Sequence, residues 1–314
     1  MSGWYLKALA ALTLSVLLTG CSLAPAKGAL NGLGLNTRAV ELTDVPFYPQ
    51  EEFHCGPASL ATVLEVAGAS ASPDELASEI FVPGRQGSLQ VEIVAAARRH
   101  GVIAYPIAKR VDALYREVIT GRPVLVLQDL ALAGSPVWHY AVVVGFDRNT
   151  NEVILRSGTE RRLVMSRRAF ELSWRRGNQW ALVMLRPGSL PAEIEEQRYV
   201  AAVAPLVRVG QWDAAAKGWS VALELWPTNL TALIGIGNVH VNDGDIPRAI
   251  ETLENAVEWH ANSGEAHNNL AYLLSGEGQH DRAIQHAKRA VSLGGPHVEA
   301  FRDTLRNAQR AASP

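Results

Sequence analysis

Gly210, Gly244 and Gly278 are spaced by 34 residues, and so are Ala215, Ala249 and Ala283. Ala222, Ala256 and Ala290 keep the same interval, as do Ala232 with Ala266 and Ile250 with Ile284. Agreement at this many positions is not expected of an ordinary domain. A fixed period of this length means that one small unit recurs, and that neighbouring units stack to bury what none can bury alone. The last third of the chain is therefore an array.

Small residues at fixed places on a 34-residue period resemble tetratricopeptide repeats. That resemblance implies paired helices brought close by the alanines, with the glycines in the turns between helices. About three repeats follow, at 194–227, 228–261 and 262–295, with His297 to Arg310 as a solvating cap helix; the first repeat matches worst at its start. Such an array implies a surface for peptides or partner proteins. His240, His260, His267, His280 and His286 fall here without metal-ligand spacing, and are expected on the surface.

Upstream, the apolar period changes midway. Pro57 to Ala67, Pro73 to Ile80, Leu89 to His100 and Val111 to Thr120 carry helical spacing. Pro123 to Leu127, Tyr140 to Phe146, Glu152 to Arg156 and Trp180 to Leu185 are short apolar strands separated by turns. Helices followed by strands at turn-length spacing predict an α+β domain with an antiparallel sheet.

The N-terminus has the pattern of an export signal. Lys7 precedes an apolar run of 13 residues, Ala8 to Gly20, which is short for a bilayer span. Leu18-Thr19-Gly20-Cys21 resembles a bacterial lipoprotein processing site, which implies that residues 1–20 are removed and Cys21 carries the lipid. Ser22 at the next position implies the outer membrane, periplasm-facing. Residues 21–43 are read as a tether, reaching on the order of 25 Å. Formal net charge is −2 with both signs interspersed, and nothing points to nucleic acid.

The chain has two cysteines. With Cys21 lipidated, Cys55 has no partner, and an exported protein left with one thiol uses it or buries it. Cys55 lies at or just before a helix N-terminus, a position that lowers a thiol's pKa. A nucleophilic thiol also needs a base. His54 is adjacent in sequence but adjacent side chains diverge. His100 ends a helix beside Arg98 and Arg99, as a capping cation does. His139 opens the most apolar strand, a rigid place for a base, although a structural histidine fits there as well.

Gln50-x4-Cys55-Gly56-Pro57-Ala58-Ser59-Leu60, Gly87-Ser88-Leu89-Gln90, Gly121-Arg122-Pro123, Trp138-His139-Tyr140 and Trp174 through Gly177 to Trp180 occur in the order seen in C39-like cysteine peptidases. These are papain-like enzymes related to the bacteriocin-processing type, and the resemblance covers residues 44–187. It implies Cys55 as nucleophile, His139 as general base and acid, Gln50 as oxyanion-hole donor, and no cofactor or metal. The family's orienting Asp is absent: Leu155-Arg156-Ser157-Gly158-Thr159 stands in its place. Ser157 is the expected substitute, and Asp147, in the Gly145-Phe146-Asp147 turn, the second choice. The expected whole is a papain-like α+β peptidase domain at 44–187 and an all-α repeat solenoid at 194–310, acting on a peptide or protein substrate, with a protein partner on the repeats and the membrane reached through the lipid. A weakly active or inactive peptidase-like scaffold, and an acyl or amide transferase using the same chemistry, are the alternatives. The peptidase segment is expected to close on itself before the repeats begin.

Overall fold

A computed structural model describes residues 36–49, 55–85, 87–131 and 134–313. The expected signal sequence at residues 1–20, Cys21, Gln50 and His54 lie outside the described residues.

Seven strands form one antiparallel sheet in the order β4-β9-β5-β6-β7-β8, with β1 pairing β6. They are β1 (Ala39–Glu41), β4 (Ile103–Pro106), β5 (Val124–Asp129), β6 (Trp138–Asp147), β7 (Glu152–Ser157), β8 (Glu160–Ser166) and β9 (Ala181–Leu185). β2 (Phe81–Val82) and β3 (Gly87–Ser88) make a separate small ribbon. Every residue of β5 and of β9 is buried, because both faces of the sheet are covered. That is why these strands read as unbroken apolar runs instead of alternating ones.

On one face pack α1 (Cys55–Val66), α2 (Pro73–Ile80) and α3 (Gln90–Arg99). Leu60, Leu64, Leu76 and Ile93 meet Leu125, Val142, Val144 and Leu182 there. Ser72 and Glu75 form a reciprocal capping box at the start of α2. The other face receives α4 (Val111–Ile119) and α5 (Arg167–Arg176), with Leu114, Phe170 and Trp174 on Val126, Val143 and Val183.

The same core continues beyond the sheet. The next helices are α6 (Glu196–Val203), α7 (Pro205–Arg208) and α8 (Trp212–Leu225). Tyr199, Val203, Leu206 and Trp219 share one apolar cluster with Ile103, Tyr105 and Leu185. The connecting segment is tied down as well. Buried Glu117 accepts from Ala192 N–H at 2.7 Å and from Arg122 at 2.6 Å. Tyr105 donates its hydroxyl to Glu193 O at 3.1 Å and accepts from Glu195 N–H at 3.2 Å. The junction is thus part of the core, in contrast to the expected self-contained peptidase segment.

α9 (Leu230–Asn242), α10 (Ile246–Trp259), α11 (Gly264–Gly276) and α12 (His280–Leu293) are two helix pairs, closed by α13 (Val298–Ala311). Gly210, Gly244 and Gly278 all have φ near +75° (+74°, +77° and +73°), so the 34-residue glycines are the left-handed turn residues that only glycine takes without strain. The first unit is irregular because Pro205 lacks the N–H that would carry α6 onward. One expectation is corrected here. His267 is 8% exposed and its ring faces His286, so His267 is a packing residue and not a surface one.

Candidate active site

Cys55 is the first residue of α1, and α1 is aimed at one point of β6. Leu127 turns its N–H to Trp180 O, just before β9, at 3.2 Å. Its cross-strand partner Tyr140 therefore presents its own N–H and C=O to the opposite side, where β7 ends. The start of α1 fills that side. Ser59 Oγ donates to Tyr140 O at 3.2 Å, and the Tyr140 backbone N–H is directed at the Cys55 thiol. This fixes Cys55 against the chain neighbour of His139.

Glycine is required next to the cysteine. A Cβ on Gly56 would stand 2.6 Å from Ser88 Oγ and 2.7 Å from Ser88 Cβ. Tyr140 donates its hydroxyl to Ser88 O at 3.2 Å, which holds β3 against the helix start. Among the described residues, Ser88 Oγ is a buried hydroxyl with no hydrogen-bond partner, at the edge of the site. Tyr48 donates its hydroxyl to the Glu65 carboxylate, which raises the Tyr48 pKa to about 12 and staples the approach segment to α1.

His139 lies near the start of β6, opposite Gln128 on β5. Its Nε2 is 2.8 Å from Ser157 Oγ. Ser157 is the last residue of β7, just before the turn into β8, and a register shift between Leu155 and Ser157 marks a bulge there. Bulges re-aim a side chain at a strand end, and this one accompanies the turn of Ser157 onto the imidazole. Arg156, buried beside it, donates to Arg161 O at 2.6 Å, Thr43 O at 3.2 Å, Leu42 O at 3.3 Å and Val45 O at 3.4 Å. One guanidinium thereby ties the Ser157 hairpin to the segment that follows β1. The sequence reading passed over Arg156, yet an arginine closing the apolar run Val153-Ile154-Leu155 is a legible sign of a buried cation.

Asp147 does not join the pair. It ends β6, ten residues long, at the far side from His139, and its Oδ1 accepts from Asn149 N–H at 2.7 Å and Thr150 N–H at 3.4 Å. It is a turn residue, so the second choice for an orienting carboxylate is corrected. His100 also stands apart, with Nε2 3.0 Å from Glu79.

The electrostatics depart from the sequence expectation. Burial pushes the Cys55 thiol above its ordinary pKa, outweighing the backbone N–H groups of Tyr140, Gly56 and Cys55 that pull it down. Burial likewise holds the His139 imidazole below its ordinary value. The two shifts favour the neutral thiol and the neutral imidazole. The helix N-terminus is present, but desolvation is the larger effect.

The comparisons with known proteins bear on both halves. Residues 42–181 match the model of the Peptidase_C39 like family, and residues 234–297 match a tetratricopeptide repeat model. The chain thus has a C39-like region, built on the antiparallel sheet, followed by a helical region with tetratricopeptide repeats. Among solved structures it is similar to a putative C39-like peptidase from Bacillus anthracis, at 20% identity and TM-score 0.41, over 48% of this chain and 98% of that one. It is also similar to the first repeat domain of human RPAP3 (14% identity, TM-score 0.34, 37% of this chain and 91% of that one). A third is the type III secretion translocator chaperone SycD of Yersinia enterocolitica (15% identity, TM-score 0.35, 38% and 88%). No curated protein matches the chain.

The mouth of the C39-like site is apolar. Leu130 and Val137 before β6 and Trp138 at its start are exposed, and Leu89 and Val91 are exposed just after Ser88. Asp129 sets the loop's shape: its Oδ1 accepts from Ala131 N–H at 3.0 Å and Val137 N–H at 2.9 Å, and Arg176 lies 3.7 Å from its other oxygen. Among the described residues no group of three or more His, Cys, Asp or Glu side chains is arranged to hold a metal.

Proposed function

We propose that the protein is a cysteine peptidase in which Cys55 attacks the scissile carbonyl and His139 moves the proton. The observation that carries this reading is the 2.8 Å contact between His139 Nε2 and Ser157 Oγ, one residue from the Tyr140 N–H that meets Cys55. With Nε2 held by Ser157, Nδ1 is the nitrogen left to take the thiol proton and later to give it to the leaving amine. The oxyanion is to be held by the Cys55 backbone N–H and the Gln50 side chain; a single donor of this kind is worth about 10²- to 10³-fold.

The repeats bind protein. A groove of about 520 Å³ lies between α9, α11 and α13, lined by Val241, Tyr272, Leu273, Thr304 and Asn307. Its lining is mostly apolar, which suits an apolar peptide segment. Lipidation at Cys21 would anchor the whole to the outer membrane, facing the periplasm.

The deciding experiment profiles peptides cut by the wild type and by Cys55→Ala. Products that require Cys55 support a peptidase. Acyl or amide transfer products in place of hydrolysis would move the assignment to a transferase.

A second reading, a binding scaffold with weak or no turnover, is favoured by two observations: the site has a serine where a carboxylate would orient the imidazole, and burial raises the pKa of its thiol. Absence of any Cys55-dependent product, with intact partner binding by the repeats, would establish it.

A further inference from the structure

His267 on α11 and His286 on α12 meet inside the third repeat with their Nδ1 atoms 2.9 Å apart. The ring centroids are 5.2 Å apart. That separation equals the Nδ1–Nδ1 distance plus the two centroid-to-nitrogen radii, so the nitrogens point head-on at each other. Lone pairs arranged head-on do not converge on a metal. They share a proton. His267 Nε2 lies 3.2 Å from Ala261 O, and a carbonyl accepts only, so this nitrogen carries a hydrogen. In the neutral ring His267 Nδ1 is then bare, and His286 must supply the Nδ1–H between them.

This assignment limits what the pair can hold. One added proton goes to His286 Nε2 and leaves the shared bond in place. A second must go to His267 Nδ1, which sets two N–H groups against each other at 2.9 Å. Burial lowers both pKa values first; at His267 the bond to Ala261 O opposes this and Arg289 adds to it, and at His286 His267 and Arg282 add to it while Glu254 opposes it. Glu254 on α10 is ion-paired to Arg282, and Arg289 donates to Ala261 O and Asn262 Oδ1. From α13 comes an apolar group, Phe301, against Gly264. No carboxylate on these elements is bonded to either ring.

We propose that the His267–His286 pair is a proton-operated latch of the repeat array, holding α11 on α12 while it carries at most one extra proton and releasing it when both rings are charged. The consequence reaches the groove, because Tyr272 and Leu273 line it from the same helix, one to two turns beyond His267. A histidine with a lowered folded-state pKa contributes stability above its ordinary value, near 6.5, and loses it as the pH falls through that value. The array therefore loosens in mild acid, independently of whether Cys55 is active.

Hydrogen exchange of the full chain tests this between pH 7.5 and 5. Protection of α11 and α12 amides, corrected for intrinsic rates, should fall by about tenfold for each unit by which protonation is held back. His286→Gln removes one of the two titrations, and its amide can turn to donate to neutral His267 or to accept from protonated His267, so the clash of two N–H groups cannot arise and most of the pH dependence of the α11 and α12 amides should be lost. Equal pH dependence in wild type and variant overturns the latch. Should the variant fold poorly, ring-nitrogen NMR of the wild type decides. His267 protonated on Nε2 and His286 on Nδ1 at pH 8 are expected; the opposite tautomers, or two independent titrations near the ordinary value, overturn it.

Discussion

Ser157 Oγ lies 2.8 Å from His139 Nε2, so a neutral hydroxyl orients the imidazole of this site. A hydroxyl accepts more weakly than a carboxylate and does not stabilise an imidazolium by charge. Ser157→Asp should raise Cys55-dependent turnover at neutral pH by about tenfold, the difference between a neutral and a charge-assisted bond. Ser157→Ala, which removes about 1 kcal/mol of hydrogen bonding, should lower it about fivefold. Asp147→Ala should leave the rate unchanged and cost only turn stability. Steady-state kinetics of the three variants check this. An inactive Asp147→Ala that remains folded would contradict the placement of the orienting group.

The pH dependence follows from burial. With Cys55 raised and His139 lowered, the ion pair is scarce in the resting site. The thiolate must form by titration, so the rate of alkylation by a small probe should keep rising through and beyond pH 8.5, the ordinary thiol value. In Ser157→Asp the carboxylate favours imidazolium, and the rise should shift to lower pH. A wild-type rate that is already level below pH 7 would mean a preformed thiolate, against this account.

The proposed anchor has its own test. Cys21→Ser should leave full-length precursor, remove acyl labelling and move the protein out of the membrane fraction. Unchanged processing and fractionation in that variant would remove Cys21 from the proposal, with no bearing on Cys55.

Much of the architecture was legible because it rests on local pattern. The helix expected over Pro73 to Ile80 forms over those residues, its start held by the Ser72–Glu75 capping box. The 34-residue glycines are turn residues by φ. β8 and α5 were not anticipated. Glu160-Arg161-Arg162 opens an edge strand exposed on that stretch, and Arg167-Arg168 opens a helix that buries only Phe170, Ser173 and Trp174, so neither carries the apolar run of a core element. At the site, Ser157 was readable from its place in the motif. The thiol's raised pKa was not, because the helix start is a local feature whereas desolvation depends on what β3 and β6 bring against it. The histidine pair at 267 and 286 escaped for the same reason, being nineteen residues apart and joined only by helix packing.

The junction at Pro187 gives the last prediction. Tyr199, Val203, Leu206 and Trp219, all from the first repeat unit, cover Ile103, Tyr105 and Leu185 of the sheet. Burying a large apolar side chain contributes about 1.5–3 kcal/mol, so four together match the 5–15 kcal/mol of a whole domain's stability. A chain truncated after Pro187 should therefore lose its cooperative melt, and Cys55 labelling should become that of an exposed thiol. Truncation after Pro227 keeps α6 to α8 and should preserve both the melt of the peptidase-like domain and the slow, pH-dependent labelling of Cys55. Tyr199→Ala in the full chain should cost about 3–5 kcal/mol, as loss of a buried aromatic does. Melting curves and labelling rates of the two truncated chains separate the cases. A protein ending at Pro187 that melts like the full chain would show that the shared apolar cluster is not needed by the sheet, and that the repeats are a detachable module after all.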